Sequence, residues 1–213
     1  MTRMLNLAAV ATVAVTAIFG IASASAAKFH TNIAGVELAG LQEGTHKMEM
    51  GGNSFTCASA TFSGKAEGTE NGNKTGESQK LHPAYSGCTL FGFINQVVDT
   101  TGCTYAYSAN SEEMTLAGCT NGGITFHASA FFGTTTCHVI VQNQTGINRN
   151  KIPSGKSTDI SMTVEISSNN IHYEVLTDKG VCPFEKAGQT GTNATYTGTT
   201  KVTAAGGANI WKE

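Results

Sequence analysis

Polar and apolar residues alternate with a period of two along much of this chain, and this pattern constrains the fold more than any other feature of the sequence. Ile160, Met162, Val164 and Ile166, for example, alternate with polar residues. Successive side chains of a β-strand point to opposite faces, so the pattern is typical of a strand with one buried face. The chain has 25 glycines and only 3 prolines, it is rich in threonine, and no stretch shows a helical period. The sequence therefore predicts an all-β protein.

Three pairs of alternating segments are separated by turn residues and predict β-hairpins. In the clearest of them, residues 160–166 and 171–175 flank a Ser-Ser-Asn-Asn turn at 167–170. A second hairpin joins 48–50 to 55–57 through Gly-Gly-Asn, and a third joins 103–107 to 114–116. Further strands are predicted at 29–33, 36–38, 58–62, 89–93, 124–128, 137–142 and 194–204, and long loops at 64–80 and 144–158.

Ten or more short strands with frequent turns are typical of an antiparallel sandwich or a flattened barrel. No shift in composition divides the chain. We therefore expect a single β domain over residues 27–213.

The first 26 residues have the pattern of a secretory signal peptide. Arg3 precedes an apolar run at 5–22, and Ala24-Ser25-Ala26 forms a small-residue cleavage site before Ala27. The apolar run also approaches the length of a membrane span, which is the alternative interpretation. We expect cleavage after Ala26, secretion, and a mature protein that leaves the membrane.

Secretion would place the six cysteines in an oxidising compartment, where disulfides form. Many pairings are possible from sequence alone. Proximity of predicted strands favours Cys103 with Cys119 and Cys57 with Cys88, which leaves Cys137 with Cys182. The chain contains no Cys-x-x-Cys motif, so a zinc site formed by cysteines is not predicted.

The charge of the chain limits the classes of partner. Charged residues make up 13% of the sequence, and the formal net charge is −2. Nucleic acids and anionic membranes require a basic surface, which this composition does not provide. We expect an extracellular protein or a glycan as the partner, and neither nucleic acid nor membrane after removal of the leader.

The sequence predicts no catalytic residue, no metal ligand and no cofactor. The histidines are scattered over separate predicted strands, and His138 is expected to point away from the face of its neighbour Cys137. The three aspartates, Asp99, Asp159 and Asp178, lie in or beside predicted turns or strand starts. The Gly-x-Ser-x-Gly motif of serine hydrolases is absent.

Aromatic residues are the remaining candidates for recognition. Phe131 and Phe132 are consecutive and cannot both point inward from a strand. Either one ring is exposed as a possible binding surface for a sugar or a protein, or the backbone bends and both rings pack inside. Phe91 and Phe93 share a face, and we predict that they belong to the core.

The chain also contains three short sequence motifs: Pro-x-Tyr-x-x-Cys at 83–88, Cys-x-Val-x-Val-x-x-Gln at 137–144 and Tyr-Thr-Gly at 196–198. With them, most of residues 27–213 resembles a group of small secreted proteins of high-GC Gram-positive bacteria. The resemblance implies export and a disulfide-containing β fold. It implies no site residue.

The expected function is therefore that of a secreted, non-enzymatic extracellular or cell-surface β-sandwich protein with a binding or structural role. One alternative is a small-molecule carrier, which would need an apolar cavity of roughly 300 Å³ or more. The other is a secreted hydrolase, which would need an acid, a histidine and a serine or threonine in one pocket.

Overall fold

The computed structural model describes residues 26–67, 74–130, 135–147, 150–179 and 186–213. Within these ranges it contains fifteen β-strands and no α-helix. The strands are β1 (Phe29–Thr31), β2 (Glu37–Gln42), β3 (His46–Met50), β4 (Asn53–Lys65), β5 (Lys74–Gly76), β6 (Ser78–Leu90), β7 (Ile94–Asp99), β8 (Thr104–Ser108), β9 (Met114–Ala117), β10 (Gly123–Ala130), β11 (Thr135–Gln142), β12 (Gln144–Ile147), β13 (Ser161–Lys179), β14 (Thr190–Ala204) and β15 (Ile210–Lys212).

Most strands belong to one antiparallel sheet that closes on itself. The strands β4, β6, β7, β10, β11, β13 and β14 pair in that order, and β2 and β3 together fill the place between β14 and β4. β6 also pairs with β8, which leads to β9 and β12, while β5, β1 and β15 form a separate sheet. The predicted all-β fold, an antiparallel sandwich or flattened barrel, is confirmed, and the pairing is that of the closed alternative.

β13 is one continuous strand of 19 residues, so the predicted hairpin with a turn at 167–170 is wrong. The even-numbered residues from Met162 to Ser168 are buried, and after them the odd-numbered residues Ile171, Tyr173 and Val175 are buried. The register with β14 shifts between Ser168 and Ile171. A β-bulge changes which residues face the core just as a turn does, and the sequence pattern does not distinguish the two.

A buried hydrogen bond holds the polar part of β13 inside the fold. The Ser168 hydroxyl donates to Asn150 Oδ1 at 3.1 Å, and both residues are buried. The Asn150 amide donates in turn to the Ile147 carbonyl at 3.2 Å. Ser168 therefore has a partner within the core, and the segment does not need to reach solvent.

The other two predicted hairpins are confirmed. β3 and β4 are joined by Gly51 and Gly52, whose φ angles of 54° and 78° fit the two-residue turn that matches strand twist. β8 and β9 pair with Tyr105 opposite Leu116. In both cases turn residues separate two alternating segments, which is why the sequence located them.

Other expectations are corrected by the strand boundaries. The predicted loop at 64–80 contains the end of β4, all of β5 and the start of β6, with residues 68–73 outside the described ranges. The predicted loop at 144–158 begins with β12. The predicted strand at 89–93 ends at Leu90, because the backbone reverses at Phe91 and Gly92, which have φ angles of 55° and 79°.

Two of the three predicted disulfides are confirmed. Cys57 and Cys88 lie directly opposite each other in β4 and β6 and are bonded. Cys103 and Cys119 are bonded just outside the paired ends of β8 and β9. Cys137 is also disulfide-bonded, and its predicted partner, Cys182, lies outside the described residues.

Two glycines allow the open end of the β8–β9 hairpin to close around its disulfide. Gly102 and Gly118 have φ angles of 74° and 75°, a region that residues with a side chain rarely adopt. A Cβ atom on Gly102 would lie 2.7 Å from the Gly118 carbonyl oxygen. The close approach of the two cysteine-bearing segments therefore requires glycine at these positions.

The predicted leader, residues 1–26, lies outside the described residues except for Ala26. In the ranges that are described, no helix is long and apolar enough to cross a membrane.

Candidate functional site

The strands that close on themselves form a ring of strands, which we call the ring. Its core contains four hydrogen-bonded polar side chains, which we call the His–Tyr network: His46 of β3, Tyr196 of β14, Tyr85 of β6 and Tyr105 of β8. His46 Nδ1 lies 2.6 Å from the Tyr196 hydroxyl oxygen. The Tyr196 and Tyr85 hydroxyls are 2.7 Å apart, and the Tyr85 and Tyr105 hydroxyls 3.1 Å. Side-chain hydrogen bonds thus connect four strands that are distant in sequence.

The hydrogen bonds of the network run in one direction. His46 Nε2 lies 3.1 Å from the Thr199 carbonyl oxygen, which can only accept, so this nitrogen carries the proton. Nδ1 is then an acceptor, and the Tyr196 hydroxyl donates to it. It follows that Tyr85 donates to Tyr196 and Tyr105 donates to Tyr85.

Burial keeps every member of the network neutral near neutral pH. Burial is the main cause that raises the pKa values of Tyr85, Tyr105 and Tyr196 well above 10. Burial also lowers the pKa of His46, and the hydrogen bond to Thr199 opposes this only in part. The network can therefore orient hydrogen bonds, but it holds no charged group for acid–base chemistry.

The cavity beside the network is small. It has a volume of about 20 Å³ and is lined by the network together with apolar side chains such as Met48, Phe55 and Phe126. One water molecule needs about 10–15 Å³. The cavity therefore has room for a water molecule and not for the apolar ligand that the carrier alternative requires.

The depressed pKa of His46 predicts a pH-dependent stability. Unfolding restores the ordinary pKa of 6.5, so the unfolded chain binds more protons than the folded chain below this pH. The free energy of unfolding therefore decreases as the pH falls below 6.5, by up to about 1.4 kcal/mol per pH unit for one histidine. The raised tyrosine pKa values predict a second loss above pH 10. We expect His46→Gln to flatten the acid side of the profile in urea unfolding between pH 5 and 8.

The exposed His172 provides the control for that measurement. His172→Gln should leave the pH profile of stability unchanged. The pKa of His138 is also lowered, first by burial and then by the nearby His127, so His138 should contribute to the loss of stability in acid in the same direction as His46. An acid profile that is equally steep in His46→Gln and in the wild type would contradict the assignment.

An open groove of about 420 Å³ lies on the outside of the fold beside β2, β4, β6 and β8. Its lysines are paired with glutamates: Lys65 with Glu37 at 2.9 Å and Lys80 with Glu67 at 3.1 Å. His82 Nδ1 lies 2.9 Å from the Cys103 carbonyl oxygen. The groove is polar, and its charges largely neutralise one another.

The turn between β6 and β7 exposes two phenylalanines, and we call Phe91, Gly92 and Phe93 the aromatic apex. Phe91 and Phe93 are 46% and 72% exposed, and their ring centroids are 6.3 Å apart. Val97 of β7 is 68% exposed as well. The prediction that Phe91 and Phe93 belong to the core is wrong, because the reversal of the chain places them beyond the end of the ring.

The backbone of the aromatic apex is strained. Phe91 has a φ of 55°, a left-handed conformation that is uncommon for a bulky residue and costs about 1–3 kcal/mol. Turns of this shape ordinarily carry asparagine or glycine. The Phe91 backbone N–H donates to the Ser54 carbonyl at 3.3 Å, which holds the apex against the start of β4.

Two histidines face each other on the outer surface of the ring. His127 of β10 is directly opposite His138 of β11, and their ring centroids are 5.7 Å apart. Their neighbours Phe126, Ala128 and Cys137 are buried. The prediction that His138 and Cys137 point to opposite faces is therefore confirmed.

The residues predicted as a possible binding surface, Phe131 and Phe132, lie outside the described residues. The described residues beside them, Ala130 and Thr135, are at the same end of the sheet as the aromatic apex, because Ala128 pairs with Gln96 near the start of β7. The apex itself was missed, although Gly92 between two alternating segments was a turn signal. The histidine pair could have been found from the sequence, because His127 and His138 lie at equal distances from the connection between β10 and β11.

In the part of the chain that the structure describes, no group of three or more histidine, cysteine, aspartate or glutamate side chains could hold a metal ion. Comparison of the chain with protein-family models, with curated proteins and with solved structures found no match. The functional conclusion therefore depends on the geometry and on the sequence patterns described above.

Proposed function

We propose that this chain is a secreted, non-enzymatic extracellular or cell-surface protein that binds another extracellular protein through its aromatic apex. The observation that carries the proposal is the exposure of Phe91 and Phe93 on a strained turn. Exposed apolar patches of this kind mark interaction sites, and strain is retained where a function requires it.

The disulfides support the extracellular location. Bonds of this kind persist in oxidising compartments and are rare in the cytosol. The structure contains Cys57–Cys88 and Cys103–Cys119, and Cys137 is bonded as well. Together with the leader pattern of residues 1–26, they favour export.

The chemistry around the apex favours a protein partner over a glycan or a membrane. Between Lys80 and Asp99 the sequence contains no lysine, arginine, aspartate or glutamate. Sugars are bound by a stacking ring together with hydrogen-bonding side chains, and the two phenylalanines supply only the rings. An anionic membrane would need basic residues. Aromatic side chains, in contrast, dominate the binding energy at the centres of protein interfaces.

The surroundings of the histidines support a non-enzymatic role. His46 is held by Tyr196 and Thr199, and His82 by the Cys103 carbonyl. A general base needs a ring nitrogen directed at a substrate, with a third group to orient it. These two histidines instead have structural partners.

The proposal is tested by capture of surface proteins from the producing organism on the immobilised secreted protein. The wild type should retain a component that protease treatment removes and glycosidase treatment does not, and Phe93→Ser should lose it. Leu41→Ser is the matched control, because Leu41 is 60% exposed on β2, away from the apex. Equal retention by Phe93→Ser and the wild type, or a retained component resistant to protease, would overturn the proposal.

The strained turn gives a second, independent prediction. We expect Phe91→Asn to raise the free energy of unfolding by about 1 kcal/mol, because asparagine adopts the left-handed conformation more readily than phenylalanine. The same variant should bind the partner more weakly. Urea unfolding and the capture assay measure the two effects separately, and a variant that is less stable than the wild type would contradict the assignment of strain.

A further inference from the structure

We propose that His127 and His138 together bind a divalent transition-metal ion of the copper, nickel and zinc class on the outer face of β10 and β11. The inference goes beyond the proposed function and uses different residues. Its basis is the position of the two imidazole rings, directly opposite on adjacent strands and on the solvent side of the sheet.

The separation of the rings suits a shared metal ion. Side chains directly opposite on antiparallel strands have Cβ atoms about 4.5–5.5 Å apart. A metal ion bonded to one nitrogen of each ring, at about 2.0–2.1 Å, holds the two nitrogens within about 4 Å of each other. The observed centroid distance of 5.7 Å places both rings within reach of one ion by side-chain rotation alone.

The exposure of the pair also suits a metal. A metal ion binds the neutral imidazole, so protons compete for the same nitrogen. His127 is exposed and His138 is half-buried beside it, so an ion can approach the pair from solvent.

The neighbouring residues on the same face are uncharged or acidic, apart from Lys179. Val97 and Thr177 flank the pair in its own row across the sheet. In the next row, Asp99 and Glu174 occupy the two ends. Lys179 stands at one end of the row on the other side, where it pairs with Thr136.

Two protein ligands leave coordination positions open. The described residues supply no third histidine, cysteine or carboxylate to the pair, so water or a ligand from another molecule would complete the shell. For nitrogen ligands the affinity rises from manganese through cobalt and nickel to copper, and zinc is weaker than copper. Hard cations such as calcium and magnesium prefer oxygen ligands.

The test is a titration of the secreted protein, with its disulfides intact, with CuCl₂, NiCl₂, ZnCl₂ and CaCl₂. We expect saturable binding of one equivalent in the order copper above nickel and zinc, with no binding of calcium. In ¹H–¹⁵N spectra, Cu²⁺ should first broaden the resonances of β10 and β11. His127→Asn and His138→Asn should each weaken metal binding by about tenfold or more, because substitutions of residues that only support a metal ligand already weaken binding by about that factor.

His172→Asn is the control, since His172 is exposed on β13 and should leave the affinity unchanged. His127 is exposed, so its variant is expected to fold, which far-ultraviolet circular dichroism will check. The proposal is overturned if no binding is seen at millimolar Cu²⁺ or Zn²⁺, or if binding persists in the double variant. Retention of the protein partner by the double variant would show that the proposed function does not depend on the metal site.

Discussion

Replacing Cys57 and Cys88 together with serine is expected to lower the free energy of unfolding by about 4 kcal/mol. The bridge closes a loop with a sequence separation of 31 residues, and chain entropy assigns about 3–4 kcal/mol to such a link. A domain of this size is stable by only about 5–15 kcal/mol in total. Urea unfolding, followed by circular dichroism without reductant, will measure the difference.

The second bridge provides a graded comparison. Cys103 and Cys119 are separated by only 16 residues, so their double serine variant should lose slightly less, about 3 kcal/mol. Both variants should unfold at lower urea concentration than the wild type. The wild type treated with dithiothreitol, in which every bridge is reduced, should be less stable than either untreated variant. An unchanged midpoint in the Cys57 and Cys88 variant would show that this bridge does not stabilise the fold.

Tyr196→Phe is expected to be nearly as severe, although it removes a single oxygen atom. The Tyr196 hydroxyl donates to His46 and accepts from Tyr85. Its loss leaves one buried acceptor and one buried donor without partners, at about 1–3 kcal/mol each. We expect a total loss of about 2–6 kcal/mol, measured by urea unfolding at pH 7.5, where His46 is neutral.

The direction of the network supplies the control. Tyr105 stands at its start and only donates to Tyr85. Tyr105→Phe therefore leaves a single acceptor unfilled, and its cost should be about 1 kcal/mol. If Tyr105→Phe proves as costly as Tyr196→Phe, the assigned direction of the hydrogen bonds is wrong.

The sequence predicted the fold class, two hairpins and two disulfides because these depend on local signals. Gly51 and Gly52 mark a tight turn between two alternating segments. The segment 167–170 gave the same kind of signal for a bulge within β13. Whether a change of phase reverses the strand depends on distant partners, here Asn150, which the local pattern does not contain.

The candidate sites were less predictable. Tyr85 and Tyr196 are separated by 111 residues and His46 and Tyr196 by 150, so only the closure of the ring brings them together. Phe91 and Phe93 share a face in an extended strand, and the turn that exposes them requires a backbone conformation unusual for phenylalanine. The histidine pair, in contrast, follows directly from hairpin pairing once the ends of the hairpin are known.

The closure of the ring also has a consequence for biosynthesis. The closing pairs join β14 to β2, with Ala204 opposite Leu38, so the last long strand completes a structure begun near the amino terminus. Contacts of such long sequence separation form slowly. The nascent polypeptide therefore cannot close the sheet until Thr190–Ala204 has been synthesised.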